Sequence, residues 1–176
     1  MLSFGSAASF FLTKLDPAGN WLWSKTFYPF NSSIKDMCID GNGYVYVTIY
    51  CNGSITYNDG DTSFTFPNVL TPYKIVSFNN NGKVRWGIEH PEGGSHAPLA
   101  SSHSMNGFFT AGGNEICKID TSGNVVWSKT VSGDFQFYGL EYNGQSTLAV
   151  AGTSFWNGGT FTFDTVSFTI VNPIVG

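Results

Sequence analysis

Charge is what this sequence has least of. Only 11% of its 176 residues are Asp, Glu, Lys or Arg, eight basic against twelve acidic, for a formal net charge of −4. A chain so poor in basic residues offers no electrostatic footprint for nucleic acid and no polybasic patch for a membrane surface. Cysteine is scarce as well. Cys38, Cys51 and Cys117 are scattered and form no C-x-x-C pair, which argues against a disulfide framework and a zinc site and leaves them as small buried hydrophobes. Helical periodicity is missing, because no window sustains apolar residues at helical spacing. No apolar run is long enough to insert into a bilayer as a helix. The opening MLSFGSAASFFLTKLD has neither the basic region nor the apolar core of a secretory leader, so the chain either is not exported by that route or belongs to a longer protein.

What is present is glycine (21), aromatics (16%) and enough hydrophobic residues (41%) for one domain with a real core. Alternating runs such as YVYVTIY (44–50), TLAVAGT (147–153) and TFTFDTVSFTI (160–170) have the period of half-buried strands. The expected class is all-β.

The chain also repeats itself. DPAGNWLWSKT, NNNGKVRWGIE and DTSGNVVWSKT bring Gly19, Gly82 and Gly123 into register, with Trp23, Trp86 and Trp127 each four residues later. A strand ending in Asp16, Asn79 or Asp120 precedes each glycine, so each copy predicts a hairpin closed by an Asx and glycine turn. A second type of segment alternates with these: MCIDGNGYVYVTIY (37–50), SSHSMNGFFTAGG (101–113) and LEYNGQSTLAVAGT (140–153). One unit is therefore four short antiparallel strands, and such sheets in series are the signature of β-propeller blades. The segments are a partial blade (10–27), a blade carrying an inserted hairpin (33–90), a short blade (97–131) and an incomplete blade (135–172). Together they predict thirteen strands, about three blades' worth, the last segment supplying an inner hairpin and one further strand. The extra residues fall at 51–72, read as a hairpin, and at 154–166.

The segments IDGNGYVYVT (39–48), FFLTKLDPAGNWLWSKT (10–26) and KIDTSGNVVWSKT (118–130) resemble the SBBP-type β-propeller repeats of bacterial secreted and cell-surface proteins. The resemblance covers most of the chain, and SHAPLASSHSMNGFF (95–109) departs from it. It implies a propeller fold and an extracellular or cell-surface setting, and it carries no catalytic signature.

Candidate sites divide into recurring and unique residues. Trp23, Trp86 and Trp127 recur once per unit, which marks them as packing elements between blades rather than sugar platforms, and Trp21 is expected in the core with Trp23 by strand alternation. Trp156 and Asn157 stand in an extension without counterpart in the short unit, and Asp59 and Asp61 stand at the tip of the inserted hairpin. These four are the candidate ligand-binding residues. The hairpin tip lacks the ligand spacing of a calcium loop. His90, His96, His103 and Glu92 crowd one stretch but match no metal-ligand spacing, so no metal and no cofactor is expected. Asn31 and Asn52 fit the glycosylation acceptor pattern, which matters only in a eukaryotic secretory host.

No nucleophile elbow, zincin motif, phosphate loop or Ser, His and Asp set is present. The expectation is a non-enzymatic binding or structural module, contacting a surface protein or a glycan through its extensions. One alternative is a virion component such as a fibre, spike or decoration protein. Another is a carbohydrate-active enzyme using carboxylates such as Glu92, Asp61 or Glu141. With so few blades the apolar blade faces need covering. The expected partner is the remainder of a longer repeat chain or another copy, a two-fold pair forming a six-bladed ring being the simplest closed case.

Overall fold

The computed structural model describes residues 10–27, 32–51, 55–58, 63–66, 72–90, 96–101, 107–133, 135–154, 159–163 and 166–170. The smallest unit is the Asx and glycine turn. In Asp16–Asn20 the Asp16 carbonyl accepts the Gly19 N–H at 2.9 Å, and Asp16 Oδ1 accepts the Asn20 N–H at 2.8 Å. Asn79 and Asp120 open the second and third turns in the same way, with Oδ1 taking the N–H of Lys83 at 3.0 Å and of Asn124 at 2.9 Å. The fourth residue must be left-handed, and φ is +84° at Gly19, +73° at Gly82 and +91° at Gly123. This is a type I turn followed by a left-handed residue, the geometry that closes a hairpin with a bulge.

Each turn joins two strands: β1 (Phe10–Leu15) to β2 (Trp21–Phe27), β7 (Tyr73–Phe78) to β8 (Val84–Glu89), and β11 (Glu115–Ile119) to β12 (Val125–Ser132). The second type of hairpin joins β3 (Ser32–Ile39) to β4 (Val45–Cys51), β9 (Leu99–Ser101) to β10 (Phe108–Gly112), and β13 (Phe135–Tyr142) to β14 (Leu148–Ser154). Sheet order is β3-β4-β7-β8 in one complete blade and β9-β10-β11-β12 in the next, while β1-β2 and β13-β14 are half-blades. The inner strands lie side by side, β9 against β3 on one side and β13 on the other. Asp36 Oδ2 ties the first junction by accepting the Leu99 N–H at 2.7 Å.

The insertion at 51–72 forms the expected hairpin, β5 (Ile55–Asn58) with β6 (Ser63–Phe66), and it leaves β4 and β7 paired. The end of the chain differs from expectation. The further strand expected on the last blade is instead half of a hairpin, β15 (Gly159–Phe163) with β16 (Val166–Ile170). It joins the outer edge of the preceding blade through Val131↔Phe163 and Ser132↔Thr162, so that sheet has six strands. The reason lies in β12, which continues past Thr130 and leaves backbone groups there for another strand to pair.

Packing follows strand alternation. In β4 the odd residues Val45, Val47 and Ile49 face Leu12 and Trp23 of the first half-blade, while Tyr46 faces Leu99, Phe108 and Ile119 of the third sheet. A strand buried on both faces needs an almost unbroken apolar run, and this is why 45–51 reads as it does. Thr48 is the exception, fully buried with no hydrogen-bond partner for Oγ1. Thr48→Val removes that orphaned hydroxyl at equal volume and is expected to raise stability by about 1 kcal/mol, read as a higher denaturation midpoint.

The third core cluster joins Phe109, Ala111, Ile116 and Val131 to Phe137, Leu140 and Tyr142 of the last half-blade. None of the three cysteines is in a disulfide; Cys51 and Cys117 are buried and Cys38 is half-buried. Burial, reinforced by the Asp36 and Asp40 carboxylates, pushes the Cys38 thiol far up, so it stays protonated and unreactive.

Candidate functional site

Two of the three recurring tryptophans build a contact that is repeated along the chain. Trp23 Nε1 donates to the Asn80 carbonyl at 2.8 Å, and its ring lies over Gly82, where an added Cβ would come 2.7 Å from Cδ2. Trp86 Nε1 donates to the Thr121 carbonyl at 2.8 Å and its ring lies over Gly123, with 3.3 Å to the same added atom. In both cases the indole of one sheet seals the glycine turn of the next. Each also meets the apolar residue four positions before that glycine: Trp23 stands 6.3 Å from Phe78 between ring centroids, and Trp86 packs against the cluster holding Ile119. Among the described residues Trp127 has no such turn beneath it, and it is 36% exposed, its ring 5.9 Å from Phe109.

A bulge sets this direction. In every copy the pairing skips one residue on the outer strand, as in Leu15↔Trp21 followed by Lys14↔Trp23, with the same shift at Ser77/Phe78 and Lys118/Ile119. The skipped residues are Leu22, Arg85 and Val126. This corrects the expectation for Trp21. Simple alternation puts residues two apart on one face, but the bulge sends Trp21 to the face opposite Trp23, where it is 65% exposed.

The candidate binding residues Trp156, Asn157, Asp59 and Asp61 lie outside the described residues, as do His103, Glu92, Asn31 and Asn52. Both extensions that carry the candidates are hairpins added to blades. Thr56 and Thr65 face each other across β5–β6, exposed, with hydroxyls 3.1 Å apart. Phe66 anchors that hairpin in the core beside Trp23, and the buried Lys74 ammonium sits 6.0 Å from its ring. Glu141 is exposed on β13.

The histidines separate. His90 is buried and its Nε2 lies 2.6 Å from Thr110 Oγ1. Since that hydroxyl donates to the Pro98 carbonyl at 3.1 Å, it accepts from Nε2–H, and the residue is a tie between the two complete blades. His96 lies at the surface with its ring 4.2 Å from Tyr138. Gln136 Oε1 accepts from the Tyr138 hydroxyl at 3.1 Å and its amide donates to His96 Nδ1, leaving the histidine proton on Nε2. No sequence pattern marks this polar and aromatic cluster, because β13 and the segment before β9 are forty residues apart in Gln136 and His96. Among the described residues no group of three His, Cys, Asp or Glu is placed to hold a metal ion.

Charge at the turns is tuned by hydrogen bonding. The Asn20 side-chain amide, followed by its backbone N–H, holds Asp16 below the usual carboxylate range, and the Asn124 backbone N–H does the same first for Asp120. A folded pKa below the unfolded one gives stability that is complete above about pH 4 and lost as pH falls through the depressed value. Asn79 already shows that an amide fills this turn position. Asp120→Asn is therefore expected to keep the turn while flattening the fall of melting temperature between about pH 4 and pH 2.

Four-stranded sheets side by side, each sealed by a tryptophan over the next turn, define a partial β-propeller. No family model and no curated protein matches the chain. Among solved structures, the WD40 domain of Pan2 from Neurospora crassa is similar at 16% identity and a TM-score of 0.39, over 76% of this chain and 47% of that one. The chain thus spans about half the length of that domain.

Proposed function

We propose that this chain is a non-enzymatic binding module of the SBBP-repeat kind, displayed outside the cell, in which the blades are scaffold and the two added hairpins make the contacts. The supporting observation is their placement. β5–β6 follows the second strand of one blade and β15–β16 follows the second strand of the last, and neither supplies one of the four strands of its own blade. Segments added to a rigid frame without serving it are where recognition resides. The partner chemistry is a glycan or a protein surface, met by Trp156 and Asn157, which precede β15 in sequence, and by the exposed threonine pair of β5–β6 with Asp59 and Asp61, which fall between those strands in sequence.

Glycan-array and surface-protein binding by wild type, by Trp156→Ala and by the Thr56→Lys, Thr65→Lys double variant tests this. Binding by the wild type should fall at least about tenfold in one variant while circular dichroism is unchanged. Turnover of a polysaccharide, abolished by Glu141→Gln, would overturn the non-enzymatic reading.

A further inference from the structure

Two open surfaces of opposite kind stand at the two ends of the blade series. At one end, β1–β2 is the outer half of a blade, and its strand β1 pairs with β2 alone among the described strands. Its outward face carries Phe11 (53% exposed), Leu15 (54%) and Trp21 (65%). Gly19 has nothing within 4 Å of an added Cβ, unlike Gly82 and Gly123 under their tryptophans. Between β1 and β3 runs an open groove of about 390 Å³, lined by residues 11–13 and 34–37. At the other end, β13–β14 is the inner half of a blade, pairing with no third strand among the described residues, and beside it Trp127 is exposed without a turn to cover.

These surfaces complement each other residue by residue. The chain shows twice what the tryptophan at this position of the repeat does when a turn is present: the indole N–H of Trp23 or Trp86 finds the carbonyl of the second turn residue, Asn80 or Thr121, and the ring finds the glycine. In the turn at 16–19 those positions are Pro17 and Gly19. Proline is tolerated there because the contact asks only for a carbonyl. The residue four before the glycine, Phe78 or Ile119 elsewhere, is the exposed Leu15.

We propose that β13–β14 of one copy and β1–β2 of a second copy form one four-stranded blade, with Trp127 of the first copy seated over the Asp16–Gly19 turn of the second. The register follows from the intact blade. There Val45 pairs with Phe78 and Thr48 with Ile75, so Leu148 pairs with Leu15 and Ala151 with Leu12 of the second copy. The inner strand β13 then enters the groove beside β3, as β9 lies beside β3 within one chain. A second, equivalent junction closes the pair. Two half-blades merge at each, so two chains make six blades, within the four to eight at which propellers close. The half-blades supply both the unpaired edges and the partners that cover them, and this does not depend on what the added hairpins bind.

Sedimentation of the wild-type chain across micromolar concentrations, with two variants, tests the proposal. Trp127→Ala removes the indole, and Gly19→Asn keeps a left-handed turn residue while filling the indole's seat. The wild type should sediment as two chains, with the Trp127 emission shifted to the blue on association. Each variant alone should pair at least about tenfold more weakly while keeping its circular dichroism. Mixing the two variants should restore pairing in part, because the mixed dimer has one junction with both an intact Trp127 and an intact Gly19. A wild type that remains a single chain, variants that pair as well as it does, or a mixture that restores nothing would each overturn the proposal. So would a single chain whose Trp127 is shielded only by a different protein or by a flanking repeat.

Discussion

Trp23→Ala is expected to cost about 3–5 kcal/mol of folding stability, the range for emptying a buried aromatic site, whereas Trp127→Ala is expected to cost less than about 1 kcal/mol in the isolated chain. The two residues occupy the same position of the repeat and differ in what lies over them. Trp23 is 7% exposed, its ring packed on Gly82 and near Phe78, its Nε1 bonded to a carbonyl of the next sheet. Truncating it uncovers the turn, leaves the Asn80 carbonyl short of a donor and opens the cluster that holds Leu12, Val45 and Val76. Trp127 is 36% exposed, its ring is near Phe109, and among the described residues it has no glycine turn beneath it. Urea unfolding extrapolated to low protein concentration measures both. Equal losses would show that the tryptophans stabilise their own hairpins, with no contribution from the contact between sheets.

How far the sequence discloses this structure depends on the distance over which each feature is encoded. The glycine turns are local: an Asx residue, a glycine three later and a tryptophan four beyond that are enough to place the hairpin. The order of strands within a blade is also legible, because alternation between two hairpin types leaves little freedom in how they pair. The face of Trp21 is not legible. It depends on a one-residue bulge at Leu22, and nothing in WLWSKT distinguishes a bulged strand from a regular one. The place of β15–β16 is harder still. The alternation in TFTFDTVSFTI marks strand but predicts only one further strand of the last blade, and the edge its hairpin joins is set by the backbone that β12 leaves open past Thr130, some thirty residues away. The histidine stretch shows the same limit. The spacing matches no metal motif, yet only tertiary structure separates His90, bonded to Thr110 in the interior, from His96, its ring tilted against Tyr138 at the surface.

The three turn glycines form a graded series that measures contact between sheets directly. Alanine at each must adopt the left-handed conformation, which costs roughly 1–2 kcal/mol for any residue with a Cβ. The conformational cost is shared, since φ is +84°, +73° and +91° at Gly19, Gly82 and Gly123. What differs is the space above each. An added Cβ meets nothing within 4 Å at Gly19, the Trp86 ring at 3.3 Å at Gly123, and the Trp23 ring at 2.7 Å at Gly82. At Gly82 the indole must move, and it does not yield easily because Trp23 is held by its bond to Asn80; the flexible end of the Lys25 side chain, 3.1 Å away, can swing aside. Gly82→Ala is therefore expected to lose about 3–5 kcal/mol, the strain of the turn plus an overpacked indole, with Gly123→Ala between it and Gly19→Ala. Denaturant midpoints at fixed, low protein concentration give the order. If Gly19→Ala were as damaging as Gly82→Ala in the single chain, the cost would lie wholly in the turn and the indole over Gly82 would contribute nothing. If instead Gly19→Ala unfolds like wild type minus the turn strain but pairs more weakly as concentration rises, its empty side is the seat of the tryptophan from the second copy.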